Sequence, residues 1–245
     1  MAAQRSAIVT GASSGIGLAI AHLLGELGYG LTIAARRPEK LEAAATELRD
    51  AGYDVEHHAG SLSDEDVIRT VAEAHRRRFD GRLDVLVNNA GVGFGAPVAE
   101  TKTSRLDMML DLNVRAIVLF YRECVPMLRA AAAEHGGAHV INTASIAGSS
   151  GQPWLSVYSA TKAAVINFTQ AMHKELAADG IKNTALMPAF VDTPMTDFAK
   201  SHGVAAEEMI TPQDVAESVR FLLRLSPACI VPEIRFIRPQ QDGAL

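Results

Sequence analysis

Tyr158 and Lys162 stand four residues apart in Tyr158-Ser159-Ala160-Thr161-Lys162, within a stretch whose apolar spacing predicts a helix. Residues at i and i+4 share one helix face. An ammonium beside a phenol stabilises the phenolate. The pair therefore predicts a tyrosine pKa below its ordinary value of about 10, suited to proton transfer near neutral pH. Ser145 lies thirteen residues earlier, at the end of a predicted strand. In parallel sheets that end faces the ligand crevice.

A second cluster is rich in glycine. Thr10-Gly11-Ala12-Ser13-Ser14-Gly15-Ile16-Gly17 follows one predicted strand and opens a predicted helix. Glycines permit a tight turn and close backbone approach, and the helix offers free N–H groups and a positive dipole end to phosphates. Gly11, Ser13, Ser14, Gly15, Ile16 and Gly17 are thus candidate dinucleotide-binding residues, although the spacing is G-x-x-x-G-x-G rather than G-x-G-x-x-G. Nineteen residues past Gly17, where an NAD site commonly has an acid, stand Arg36 and Arg37. Two arginines at a helix N-terminus are unfavourably placed unless an anion joins them. A 2′-phosphate accepts bidentate arginine bonds, so the pattern favours NADP(H) over NAD.

The elements that must position these groups alternate regularly. Predicted strands are Ala7–Val9, Leu31–Ala35, Asp54–His58, Leu83–Val87, His139–Thr143, Ile181–Met187 and Glu233–Ile237. Predicted helices follow Ile16, Pro38 and Ser63, then cover about Thr103–Glu134 (bent by Pro126), Val157–Ala178 and Pro212–Leu225. Such βα alternation predicts one α/β domain over residues 1–245: a Rossmann-type, doubly wound parallel sheet of about seven strands, with helices on both faces. The chain has 245 residues, 48% hydrophobic and 21% charged, with no low-complexity tract, which excludes a disordered or coiled-coil chain. With 23 Lys+Arg against 28 Asp+Glu, the net charge of −5 argues against nucleic acid. No apolar run approaches the roughly 18 residues that span a bilayer, and strand signals begin at Ser6 with no leader pattern, so a cytoplasmic protein is expected. Cys124 and Cys229 lie among apolar residues outside any zinc spacing and are expected to be buried thiols.

In order and in register, the motifs resemble the short-chain dehydrogenase/reductase family over essentially the whole chain. Asn88-Asn89-Ala90-Gly91 is similar to its N-N-A-G motif, and Asn113 falls at its helix asparagine. Ser145, Tyr158 and Lys162 match its remaining catalytic positions, and Pro188-Ala189-Phe190-Val191-Asp192-Thr193 resembles its P-G-x-V-x-T segment. The resemblance implies that Tyr158 donates a proton to a carbonyl oxygen, or removes one from an alcohol. It implies that Ser145 polarises that oxygen, that Lys162 binds ribose and tunes Tyr158, and that Asn113 holds a relay water. It adds Leu62, Asn89, Ala90, Gly91, Pro188, Val191 and Thr193 to the cofactor residues. It also implies a homodimer or homotetramer through the helices near Thr103–Glu134 and Val157–Ala178, which carry Ala116, Val118, Ala163, Val165 and Phe168.

Three departures stand out. Ser61 replaces an acid near the adenine, Ala189 replaces a glycine, and the C-terminal segment lacks a glycine-rich turn, which weakens a close match to carrier-protein reductases. The substrate pocket is expected between Phe94, Gln152-Pro153-Trp154 and a lid from Pro194 to about Ile210 that carries Met195, Phe198 and Met209. Its apolar walls, with Lys200 as the one cation placed nearby, predict an apolar ketone, aldehyde, secondary alcohol or 3-oxoacyl group. Gln152 is the expected further polar contact. Adjacent His57 and His58 point to opposite strand faces, Arg76-Arg77-Arg78 suits a solvated helix end, and the remaining histidines form no ligand spacing, so no metal is expected. The rival readings are an NAD(P)-linked hydroxy-acid dehydrogenase and a non-catalytic dinucleotide sensor, which would not need Asn113, Ser145, Tyr158 and Lys162 together.

Overall fold

The computed structural model describes residues 4–197 and 205–239. Strands β1 (Ser6–Thr10), β2 (Gly30–Ala35), β3 (Val55–Ala59), β4 (Val85–Asn88), β5 (Ala138–Thr143), β6 (Ile181–Pro188) and β7 (Glu233–Phe236) form one parallel sheet in the order β3-β2-β1-β4-β5-β6-β7. Every residue of β1, β2, β4 and β5 is buried, as expected when helices cover both faces of a parallel sheet. Helices α1 (Gly15–Glu26), α2 (Pro38–Asp50) and α7 (Pro212–Leu223) close one apolar layer around Ile20, Leu24, Leu41 and Val219. Helices α3 (Glu65–Arg78), α5 (Ala116–His135) and α6 (Ser156–Leu176) close the other around Ile68, Phe120, Leu128 and Val165.

Helix ends follow their local chemistry. Asp64 caps α3 by accepting from Asp66 N at 2.9 Å, and Pro212 opens α7 behind a reciprocal Thr211–Asp214 capping box. The long predicted helix is broken, but not at Pro126, through which α5 continues. The break is a π-helical turn at Asp111–Arg115, between α4 (Thr103–Leu110) and α5, and this turn carries Asn113.

Two features of the sequence resolve differently from expectation. Cys124 is buried, but Cys229 is exposed, because it lies in the connection leading to edge strand β7. His75, one of the scattered histidines, joins elements inside the core: its Nδ1 meets Thr32 Oγ1 at 2.8 Å and its Nε2 meets Ser6 Oγ at 3.2 Å. Burial pushes its pKa down to about 3, so it is a neutral link between β1, β2 and α3. His57 contacts Glu42 and Arg49, and His58 contacts Glu56. Arg76 and Arg78 pair with Glu73 and Asp54. Among the described residues, no group of three or more His, Cys, Asp or Glu could hold a metal ion, and no helix is long and apolar enough to cross a membrane.

Candidate active site

At the C-terminal edge of β1, the chain turns through Gly11 (φ +68°) and Gly15 (φ +57°), a region that disfavours side chains. Close packing adds a second constraint. A Cβ on Gly17 would lie 2.5 Å from Gly11 O, and one on Gly11 would lie 2.9 Å from the Ala90 backbone. Ser14 is the N-cap of α1 but makes no side-chain capping bond, and no acid lies in the first turn. The first-turn N–H groups are thus left to an external acceptor. Ser13, Ser14, Gly15 and Ile16 are partly exposed along this turn. Arg36 and Arg37 are exposed at the start of α2 and make no ion pair among the described residues.

Three further segments lock onto this turn. Thr10 Oγ1 accepts from Asn89 N at 2.9 Å and Ala90 N at 3.0 Å. The Asn89 amide donates to Thr10 O at 3.2 Å and accepts from Thr143 Oγ1 at 3.2 Å, tying together the ends of β1, β4 and β5. Thr193 packs so closely that a Cβ on Gly15 would meet its Cγ2 at 2.8 Å. Val191 is buried and bridges to Ile210. Leu62 is buried against the sheet beside exposed Ser61.

Ser145 caps a short turn after β5. Its Oγ accepts from Ala147 N at 3.2 Å and donates to Pro188 O at 3.3 Å, and the hydroxyl lies near enough to Tyr158 to favour its phenolate. Gly148, which the sequence pattern did not single out, makes this meeting possible, because a Cβ there would lie 2.6 Å from the Lys162 backbone. Gly93 likewise lets the loop after β4 lie against the Tyr158 ring, where its Cβ would sit at 3.3 Å. Lys162 is buried, with Nζ donating to Thr143 O at 2.7 Å and lying 5.7 Å from the Tyr158 ring centroid.

The electrostatics correct one expectation. Burial raises the Tyr158 pKa above its ordinary value, and the neighbouring Ser145 hydroxyl only partly opposes this. The Lys162 pKa falls to about 8, because its ammonium is removed from water. The Asn113 amide is engaged by protein, with Nδ2 donating to Val92 O at 2.8 Å and Thr161 Oγ1 at 3.1 Å, and Oδ1 accepting from Val92 N at 2.8 Å. A Cβ on Gly91 would lie 3.2 Å from Asn113 Oδ1 and 3.5 Å from Lys162 Nζ, so a side chain there would crowd the space between these two groups.

The expected substrate residues divide. Gln152 is half-buried, and its Nε2 donates to Ser150 O at 3.0 Å. Trp154 is 69% exposed and helps line a separate cavity of about 320 Å³ with Phe94. That cavity contains Lys102 and Arg105, which corrects the expectation of Lys200 as the one nearby cation. Phe198 and Lys200 lie outside the described residues. Met195 is exposed and Met209 is buried.

This arrangement defines an enzyme class. The family model described as short chain dehydrogenase matches residues 5–202, and the chain belongs to that family. It is 34% identical over 236 residues to an uncharacterized oxidoreductase of Staphylococcus aureus (strain MW2), a match covering 96% of this chain and 97% of the relative. Its structure is similar to that of a variant actinorhodin polyketide ketoreductase solved with NADPH (TM-score 0.86, 31% identity, 96% and 97% of the two chains). It is also similar to a 3-ketoacyl-(acyl-carrier-protein) reductase from Brucella melitensis solved with NADH (TM-score 0.83, 27% identity, 95% and 97%). The chain is an oxidoreductase of the short-chain dehydrogenase family, with its Rossmann-like seven-stranded sheet.

The buried lysine yields a stability prediction. Lowering its pKa from 10.5 to about 8 costs roughly 3 kcal/mol when Lys162 is charged. Above pH 8 the folded state sheds this proton before the unfolded state does, so stability rises with pH up to about 10.5. Lys162→Met is expected to be at least as stable as wild type at pH 7, with its advantage shrinking between pH 8 and 10.5. Urea denaturation across that range checks this, and a gap independent of pH would refute it.

Proposed function

We propose that this chain is a single-domain, cytoplasmic, NADP(H)-dependent oxidoreductase that interconverts a carbonyl group and an alcohol, with Asn113, Ser145, Tyr158 and Lys162 as its site. The observation that carries this reading is the meeting of Ser145 and Tyr158 beside a buried Lys162 whose Nζ is anchored to Thr143 O. When bound, the cofactor supplies the hydride to the carbonyl carbon. Tyr158 gives its phenolic proton to the carbonyl oxygen, and a pKa raised by burial keeps that proton in place at neutral pH. Ser145 donates a hydrogen bond to the same oxygen as negative charge develops on it. Lys162 reaches the ribose hydroxyls while anchored to Thr143 O. Asn113 fixes the loop that begins at Val92 and steadies α6 through Thr161, whose Oγ1 donates to Tyr158 O at 2.7 Å. Oδ1 of Asn113 keeps one acceptor site toward Gly91 for a relay water.

The residues present fit the cofactor. The glycine turn with Gly11, Ser13, Ser14, Gly15, Ile16 and Gly17 receives the pyrophosphate. Leu62, Asn89, Ala90 and Gly91 flank the adenosine and ribose, and Pro188, Val191 and Thr193 flank the nicotinamide. Unpaired Arg36 and Arg37 receive a 2′-phosphate. The ketoreductase similar to this chain was solved with NADPH, which supports that choice, whereas the Brucella reductase was solved with NADH. The carbonyl binds between Ser145, Tyr158 and Gln152.

We also propose a homodimer or larger homo-oligomer. A shallow apolar groove of about 390 Å³ runs between α4 and α6 along Leu106, Leu110, Val114, Val157 and Ala164, and Met108 and Val118 are exposed nearby. Ala116 and Val165, by contrast, are buried in the core.

Tyr158→Phe should lower turnover by about 10²-fold or more while leaving NADPH affinity within about twofold. Absorbance of NADPH and a binding titration check both, and a variant with near wild-type turnover would remove Tyr158 as the acid. Arg36→Ala should weaken NADPH binding by about 2 kcal/mol and NADH binding little. Equal losses for the two cofactors would overturn the phosphate role. Light scattering should give at least twice the 26.1 kDa chain mass at micromolar concentration. A monomer would refute the assembly.

A further inference from the structure

The cavity of about 320 Å³ beside the catalytic helix is unlike the apolar pocket expected from the sequence. Its walls are Phe94, Trp154 and Met109, and its charged groups are Lys102, Arg105 and Glu100. Its volume lies at the lower end of small-molecule sites, which span about 300–1,000 Å³. Arg105 stacks over the Phe94 ring at 5.0 Å, which aims the guanidinium without neutralising it. Neither Lys102 nor Arg105 forms an ion pair among the described residues. Lys102 is also the N-cap of α4, it makes no side-chain capping bond, and no acid lies in the first turn. Cations and the positive end of α4 therefore add, with the Glu100 carboxylate as the one opposing charge lining the cavity.

The aromatic wall is held at a cost. Trp154 has φ +60°, a left-handed conformation that is rare for a bulky residue, and its side chain is 69% exposed. Its carbonyl accepts from Ala96 N at 2.8 Å, which fixes the loop from Gly93 to Pro97 against the start of α6. That loop is shared with the reaction centre: Gly93 backs the Tyr158 ring, while Phe94, Gly95 and Ala96 line the cavity. A strained, exposed aromatic and two unpaired cations line one cavity, an arrangement that a ligand completes.

Resting on the carbonyl-reductase reading, we propose that this cavity is a subsite for the far end of an elongated substrate, an apolar chain that carries a carboxylate remote from its carbonyl. Lys102 and Arg105 hold the carboxylate, Phe94 and Trp154 cover the chain, and the carbonyl remains at Ser145 and Tyr158. The cavity thereby selects substrates by charge at a distance from the chemistry, and Glu100 disfavours dianions.

Trp154 is the only tryptophan in the chain, so its emission reports the cavity without needing turnover. Octanoate titrated into the full-length protein should change that emission saturably. Octanamide should bind markedly more weakly, and Lys102→Ala/Arg105→Ala should weaken octanoate binding about tenfold. Octanoate should also inhibit NADPH-dependent reduction of 2-octanone competitively with the ketone. Absence of a saturable change with octanoate, equal response to octanamide, or unchanged affinity in the double variant would overturn the carboxylate subsite. Inhibition non-competitive with the ketone would overturn its place in the substrate path. Failure to reduce any carbonyl compound would instead strike the reductase reading, while the emission titration would still decide whether the cavity takes a carboxylate.

Discussion

The site depends on one ammonium group held where water would ordinarily hold it. Lys162 Nζ is buried between α6 and the end of β5, and its fixed partner is the Thr143 carbonyl. Such burial opposes folding, so the surrounding packing must over-determine the position. It does so through backbone contacts. Gly148 allows the turn after Ser145 to touch the Lys162 main chain directly, which sets Ser145 against Tyr158 on the same helix. A larger residue at 148 would separate the strand end from the helix and with it the hydroxyl pair.

The same logic governs the cofactor side. The β1 turn, the Asn89 loop and the Thr193 segment approach one another at distances that no Cβ at Gly11, Gly15 or Gly17 would allow. Thr10 Oγ1 and the Asn89 amide then satisfy the backbone groups exposed by these tight turns. The first-turn N–H groups of α1 are thereby presented without side chains, as at helix N-termini that take phosphates. Arg36 and Arg37 stand exposed at the rim of this turn, at the start of α2.

Much of this was legible because it is written in period and punctuation. Buried strands read as continuous apolar runs, and the ends of α1 and α7 carry Gly28 and Pro212. Tyr158 and Lys162 share a face because helical spacing demands it. The π turn at Asp111–Arg115 was not legible, since one extra residue in a helical turn barely disturbs a pattern of period 3.6. Nor was the upward shift of the Tyr158 pKa, because spacing gives the neighbours of a phenol but not its burial. Gly148 and Gly93 escaped notice for the same reason: their role is a contact with residues far along the chain. Cys229 misled because Ile230 and Val231 surround it in sequence, whereas it sits exposed near the sheet edge.

The two halves of the site are built from different materials, and this explains why fold and cofactor were easier to read than substrate. The cofactor half is backbone: glycines, strand ends and one helix N-terminus, each tied to the topology of the sheet. The proposed substrate half is side chains on α4 and on the loop after β4, where the close packing of Gly93 on Tyr158 leaves the type of Phe94, Lys102 and Arg105 open. The sequence alone gave no reason to join Lys102 and Arg105 to Trp154, fifty residues away, since their meeting depends on the loop from Gly93 to Pro97 crossing the start of α6. A left-handed tryptophan costs on the order of 1–2 kcal/mol. A residue such as glycine would serve the turn without that cost, so the strain at Trp154 is best understood by what its ring does outside the turn. The ring forms one wall of a charged cavity, and another wall is the loop that backs Tyr158.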